Sequence, residues 1–118
     1  MKVLIVHEER SVANSLAEIL RDDHGDETLP LYDSGDAFDH LFQIRFDMAW
    51  ISVALSISEE LATLFSVLQS GCDVILFGPG QQLEDMKARN PQFGYVEISS
   101  EEEKLLQGLE SVKCTDPL

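Results

Sequence analysis

The chain has 118 residues, of which 44% are hydrophobic and 25% charged, the proportions of a single globular domain with its own core. Its 22 acidic and eight basic side chains give a formal net charge of −14, which argues against direct binding to nucleic acid or to an anionic membrane surface. Cys72 and Cys114 form no metal-binding or redox motif, and the apolar start is too short for a signal peptide. We therefore expect a cytoplasmic protein without a cofactor.

Short apolar runs alternate with segments of helical periodicity along the chain. The runs predict five strands, at Lys2–Val6, Glu27–Tyr32, Asp47–Ser52, Asp73–Phe77 and Tyr95–Ile98. Polar capping residues predict where four of the five helices begin, and these residues are Ser11, Ser34, Ser58 and Ser100. The remaining helix is short and mostly polar, at Gln81–Arg89.

This alternation predicts an α/β fold in which helices cover both faces of a five-stranded parallel sheet. The first, third and fourth strands are almost continuous apolar runs, as interior strands should be. The second strand is polar and contains Pro30, which places it at an edge. The flavodoxin-like strand order 2-1-3-4-5 satisfies both conditions. We expect one domain over residues 1–112, a short tail at 113–118, and a core that includes Leu16, Trp50, Ile51, Leu64 and Ile75.

A functional site is expected at the carboxyl ends of the strands, where open α/β sheets bind their ligands. The residues predicted to lie there are His7, Glu8, Glu9, Ser52 and Gly78. A serine at position 52 without an evident base is a poor nucleophile and a poor metal ligand. His7 is interpreted as a hydrogen-bonded loop residue rather than a metal ligand beside Glu8. Gly78-Pro79-Gly80 lacks the spacing and the lysine of a phosphate-binding loop, so it is interpreted as a turn.

Several segments resemble the receiver domain of bacterial response regulators. They are Lys2-Val3-Leu4-Ile5-Val6 with the Ser11–Arg21 helix, Asp33-Ser34-Gly35-Asp36-Ala37, Phe46-Asp47 and Gly94-Tyr95-Val96. The resemblance covers almost the whole chain and implies a role in two-component signal transduction. Receivers carry two acidic residues after the first strand, which help to hold magnesium, and an aspartate ending the third strand, which accepts a phosphoryl group from a histidine kinase. A serine or threonine ends their fourth strand and a lysine ends their fifth, and both contact the phosphoryl oxygens.

This chain departs from the receiver pattern at most of the matching positions. Those positions carry, in chain order, His7, Glu8 with Glu9 beside it, Ser52, Gly78 and Ile98. Ser52 thus replaces the phosphoryl acceptor, Gly78 the hydroxyl residue and Ile98 the lysine, although a shift by one residue would put Ser99 at the last position. The resemblance therefore implies a degenerate receiver that is not phosphorylated, is not an enzyme and holds no metal.

Three interpretations of the function remain open. The leading one is a signalling module that binds a partner protein independently of phosphorylation. The second is a receiver with displaced phosphorylation chemistry, and the third is a small-molecule binder with its ligand above Glu8, Ser52 and Gly78. In receivers the output contacts usually lie on the fourth helix, the fifth strand and the fifth helix. The residues that this implies here are Lys87, Arg89, Tyr95, Glu97 and Glu101, whose opposite charges also suit a weak homodimer.

Overall fold

The computed structural model describes residues 1–55, 57–69 and 71–98, and within them five strands alternate with four helices. The strands are β1 (Lys2–Val6), β2 (Glu27–Leu31), β3 (Met48–Ser52), β4 (Asp73–Gly78) and β5 (Gly94–Glu97). The helices are α1 (Arg10–His24), α2 (Ser34–Leu41), α3 (Ser58–Leu68) and α4 (Gly80–Arg89). The fifth helix predicted from Ser100 onward and the predicted tail fall outside the described residues. No helix in the described part of the chain is long and apolar enough to cross a membrane.

The strand order β2-β1-β3-β4-β5 and the parallel direction of every pair confirm the fold predicted from the sequence. At the β2 edge, the Glu27 N–H donates to the carbonyl oxygen of Met1 (2.9 Å) and the His7 N–H donates to the carbonyl oxygen of Leu31 (3.1 Å). Residues 27, 29 and 31 therefore turn their backbone groups toward β1, and Pro30 turns its nitrogen toward the open edge. The proline consequently removes no hydrogen bond from the sheet.

Helices cover both faces of the sheet, and each face has its own apolar core. Helices α2, α3 and α4 pack on one face, around buried side chains that include Leu4, Ala49, Ile51, Leu61, Phe65, Leu76 and Leu83. Helix α1 packs on the other face, around Val3, Ile5, Ala13, Leu16, Ala17 and Phe77. Because neighbouring residues of a strand point to opposite faces, the apolar runs of β1, β3 and β4 supply both cores at once.

Leu16 and Ile51 are buried, which confirms their predicted place in the core. Trp50, Leu64 and Ile75 were predicted to be buried but are only partly so. Trp50 lies on the face of the sheet that α1 covers. Among the described residues, α1 is the only helix on that face, and it packs over β1 and β2. The Trp50 indole therefore keeps an exposed side, while its N–H points to the sulfur of Met48 at 3.1 Å. Leu64 is on the flank of α3 rather than on its buried side.

Helix ends follow local chemistry, with small differences from the sequence prediction. Helix α1 begins at Arg10, one residue before the predicted cap Ser11, and ends at His24, followed by the C-cap Gly25 with a φ of +70°. Helix α2 is capped by Asp33 rather than Ser34, because the Asp33 carboxylate accepts the Asp36 N–H at 2.8 Å.

Candidate functional site

His7 directly follows β1 and turns its imidazole into the protein, where the side chain is only 1% exposed. Its Nδ1 accepts the backbone N–H of Glu9 at 2.9 Å, and its ring lies 5.6 Å from that of Phe77. An accepting Nδ1 carries no proton, and its lone pair is committed to the loop that follows β1. His7 therefore makes a hydrogen bond of the kind expected from the sequence, and Oε1 of Glu8 lies 3.8 Å from the same Nδ1. Glu8 and Glu9 beside it are exposed.

Ser52 ends β3 and is 2% exposed. Its hydroxyl oxygen accepts the N–H of Ala54 at 3.2 Å, and its carbonyl oxygen accepts the N–H of Leu55 at 3.3 Å. This is the side-chain turn that serine commonly forms with the backbone two residues on. Ser52 therefore stabilises the loop after β3 through this hydrogen bond.

Gly78 is the last residue of β4, at the position where a receiver would carry its hydroxyl side chain. Its φ is +153°, and a Cβ atom added to it would lie 2.4 Å from Cγ2 of Val53. Val53 is itself buried and is fixed by a hydrogen bond from its N–H to the carbonyl oxygen of Phe77 (3.0 Å). The Val53 side chain thus occupies the space that a side chain at position 78 would need. Val53 was not predicted from the sequence, where the available signal was an apolar residue directly after the end of β3.

Ile98 follows β5 and is buried on the α1 face of the sheet. Its N–H donates to the carbonyl oxygen of Gly78 at 2.8 Å, so its backbone lies beside the end of β4. The position that would carry a lysine in a receiver is therefore filled by a packed aliphatic side chain. Ser99, the alternative candidate, and Glu101 of the expected partner face lie outside the described residues.

The four strand ends thus come together at one edge of the sheet, but the groups they supply do not fit a magnesium ion. Magnesium requires an octahedron of hard oxygen ligands, usually with one or two carboxylates and several waters. Ser52 is a neutral hydroxyl that already accepts a backbone N–H, and Glu8 and Glu9 are exposed on the loop. Over the described ranges, no three His, Cys, Asp or Glu side chains approach one another closely enough to hold a metal.

A second surface lies between α4 and β5, where a groove of 440 Å³ is lined by Gly80, Gln81, Leu83, Glu84, Lys87, Tyr95 and Glu97. It brings together Lys87, Tyr95 and Glu97, three of the five residues of the expected partner face. The Glu97 carboxylate lies against the start of α4, since a Cβ on Gly80 would be 2.6 Å from its Oε1. A carboxylate at this end of a helix is stabilised by the unpaired N–H groups and the helix dipole.

Arg89, the fourth residue of that expected face, instead forms an ion pair with Glu59 of α3. Its Nη2 lies 2.5 Å from Oε1 of Glu59, and the Asn90 amide donates to Oε2 at 2.9 Å. The hydrogen bonds from Arg89 and Asn90 hold the pKa of Glu59 below its usual value. The Tyr95 hydroxyl also lies at the carboxyl end of α4, 2.5 Å from the carbonyl oxygen of Asn90. Burial raises the pKa of Tyr95. The sequence did not predict this α3–α4 link.

The lowered pKa of Glu59 predicts that the pair stabilises the fold only above acid pH. The folded protein holds this carboxylate ionised more strongly than the unfolded chain does, so the stabilisation is present above the ordinary value of 4.5 and is lost as pH falls through the lower folded value. We expect Glu59→Gln to lower the melting temperature at pH 7 and to differ less from wild type as the pH drops below 4.5. Glu60→Gln, on the same helix, is the control. A gap between Glu59→Gln and wild type that stays constant from pH 7 to pH 3 would contradict the prediction.

Comparison with known proteins agrees with this architecture. The sequence matches no family model and no curated protein. The chemotaxis response regulator CheY4 of Vibrio cholerae matches with a TM-score of 0.70 at 19% identity, over 94% of this chain and 97% of that chain. A two-component response regulator from Clostridium difficile matches with a TM-score of 0.68 at 16% identity, over 98% and 97% of the two chains. An adenylate cyclase from Rhodopirellula baltica also gives 0.68, at 12% identity and over 98% of both chains. Identities this low show the fold alone, and that fold is the one found in response-regulator receiver domains.

Proposed function

We propose that this chain is a non-catalytic receiver-like signalling module, which acts by binding another protein and is not phosphorylated. The observation that carries the proposal is the packing of Val53 over Gly78, because it closes the edge of the sheet where a receiver would hold a phosphoryl group. The burial of Ser52 supports the same conclusion, since its hydroxyl faces the backbone of the following loop.

The electrostatics of this edge also support the proposal. A phosphoryl group brings negative charge, which must be compensated by a metal ion or by cationic side chains when it leaves water. The nearest strand ends supply the exposed carboxylates Glu8 and Glu9 and the aliphatic side chain of Ile98. These groups repel a phosphoryl group or leave it uncompensated. The same closure argues against a small ligand above Glu8, Ser52 and Gly78.

Incubation with acetyl phosphate, or with the phosphoryl mimic beryllofluoride, tests the proposal in the presence of magnesium. We expect no increase in intact mass and no magnesium-dependent change in the fluorescence of Trp50, whose ring lies 5.9 Å from that of Phe77 at the end of β4. Ser52→Asp should not restore full uptake, because Gly78 and Ile98 remain. A stoichiometric gain of one phosphoryl group by the wild-type protein would sink the proposal and favour displaced phosphorylation chemistry.

The groove between α4 and β5 is the surface that we propose for the signalling partner. Lys87 is the cation that lines it, between Glu84 on the same helix and Glu97 on β5, so it favours a partner of mixed charge. A weak homodimer through this face is the alternative form of the contact, in which Lys87 of each copy meets the acidic residues of the other. A Lys87→Glu variant that captures the same partner, and self-associates to the same extent, would remove this face from the proposal.

A further inference from the structure

Large apolar side chains are exposed together on the outer side of α2 and α3. The members of this α2–α3 patch and their exposed fractions are Phe38 (41%), Phe42 (64%) and Leu68 (52%). Phe38 and Phe42 lie one turn apart on α2, with an edge-to-face ring contact at 5.3 Å. Phe42 and Leu68 line one groove of 220 Å³ between the carboxyl ends of the two helices. Contiguous exposed apolar side chains of this kind mark binding surfaces in soluble proteins.

The patch continues along one flank of α3. The buried side of this helix carries Leu61, Ala62 and Phe65. Three further apolar residues lie at helical spacing: Ile57 just before the helix, Leu64 seven residues later and Leu68 four residues after that. In a helix of 3.6 residues per turn, this spacing places them on a single flank. Ile57 is exposed and Leu64 partly so. This row runs along α3 to Leu68, which lines the groove together with Phe42.

Charge decides which occupant fits this surface. Asp39 follows Phe38 on α2, Glu60 lies one turn before Leu64 on α3, and both are exposed. A second copy of the chain, with its net charge of −14, would bring the same acidic residues to the interface, and like charges across an interface disfavour association. A segment with apolar anchors flanked by lysine or arginine would instead satisfy both the apolar row and its acidic border.

We propose that the α2–α3 patch docks an amphipathic basic segment of another protein. Arg45 also lines the groove between Phe42 and Leu68, so the basic residues of the segment are expected near Asp39 and near Glu60 rather than at this groove. This surface differs from the groove between α4 and β5, because none of its apolar residues lines that groove, although Leu64 also lines a pocket with Glu59. The inference therefore stands or falls independently of the proposed function.

Titration of the ¹⁵N-labelled protein with an amphipathic helical peptide of leucine and lysine, about 18 residues or five turns long, tests the inference. We expect amide shifts concentrated in residues 34–45 and 57–69. The double variant Phe42→Ala, Leu68→Ala should weaken binding at least about tenfold, as expected for two apolar anchors that lose their buried area. Ile19→Ala, which removes an exposed apolar side chain of α1, is the matched control and should leave the affinity unchanged.

Charge is tested by the double variant Asp39→Lys, Glu60→Lys, which should bind the leucine–lysine peptide more weakly and with less dependence on salt. Equal binding of a leucine–glutamate peptide would overturn the inference, as would shifts spread evenly over the acidic surface or equal affinity of the Phe42→Ala, Leu68→Ala variant. Self-association that perturbs the same amides would show that a second copy is the occupant and would also overturn it. Binding of neutral lipid vesicles through the patch would do the same.

Discussion

Replacement of Gln69 by leucine is expected to lower the free energy of unfolding by about 2–4 kcal/mol, although leucine is similar in size and more apolar. Gln69 lies buried at the end of α3, and its carboxamide is fully used. Its Oε1 accepts the N–H of Phe46 at 2.8 Å, and its Nε2 donates to the carbonyl oxygens of Leu41 (3.1 Å) and Ile44 (2.8 Å). A leucine would leave these three backbone groups without their partner in the segment between α2 and β3.

Urea unfolding of the wild-type protein and of Gln69→Leu measures this loss of stability. Gln43→Leu is the matched control, because Gln43 lies exposed in the same segment and its substitution should change stability by less than about 0.5 kcal/mol. A loss below about 1 kcal/mol for Gln69→Leu would mean that water or a rearranged loop satisfies the three backbone groups in its absence.

The second large effect is expected at Gly78, where Gly78→Ser should cost about 2–5 kcal/mol of stability. Two causes act together: the φ of +153° is strained for any residue with a side chain, and the new Cβ would meet Cγ2 of Val53 at 2.4 Å. Shortening the neighbour should remove the second cause. The double variant Gly78→Ser, Val53→Ala is therefore expected to be more stable than the sum of the two single changes predicts.

Chemical denaturation of the wild-type protein, of Gly78→Ser, of Val53→Ala and of the double variant gives the coupling energy between the two positions. Gly80→Ala is the control, because the group in its way is the flexible Glu97 carboxylate, which can move aside. Strict additivity of the Gly78 and Val53 changes would show that the contact is not what closes the edge of the sheet. A positive coupling would mean that a hydroxyl can return to position 78 only together with a smaller residue at position 53.

The strand order was predictable because it depends on patterns that lie within single strands. The unbroken apolar run of β1 and the polar β2 with its proline are enough to place one strand inside the sheet and the other at its edge. The resemblance to receivers also predicted departures at Ser52, Gly78 and Ile98, because it says which residue each strand end would carry in that family; that these departures abolish phosphorylation stays a proposal.

Contacts between residues far apart in the chain were not predictable from the same patterns. Gln69 and Phe46 are 23 positions apart, and Glu59 and Arg89 are 30 apart, so no local periodicity records either pair. Trp50 was placed in the core because it lies mid-strand, but burial depends on which helix covers that part of the sheet. For the same reason, the ion pair of Arg89 with Glu59 of α3 was not expected, although its place on the partner face stays a prediction.

Pro30 has a consequence for how this domain behaves at high concentration. An edge strand invites a neighbouring chain to add its own strand, which is a common first step toward aggregation. Within Glu27–Leu31 only residues 28 and 30 face outward, and Pro30 offers a carbonyl oxygen but no N–H. A strand arriving at this edge would therefore find a single backbone donor, at Thr28, and its own carbonyl opposite the proline would stay unpaired. Together with the net charge of −14, this disfavours the joining of sheets along β2 between copies of the domain at high concentration.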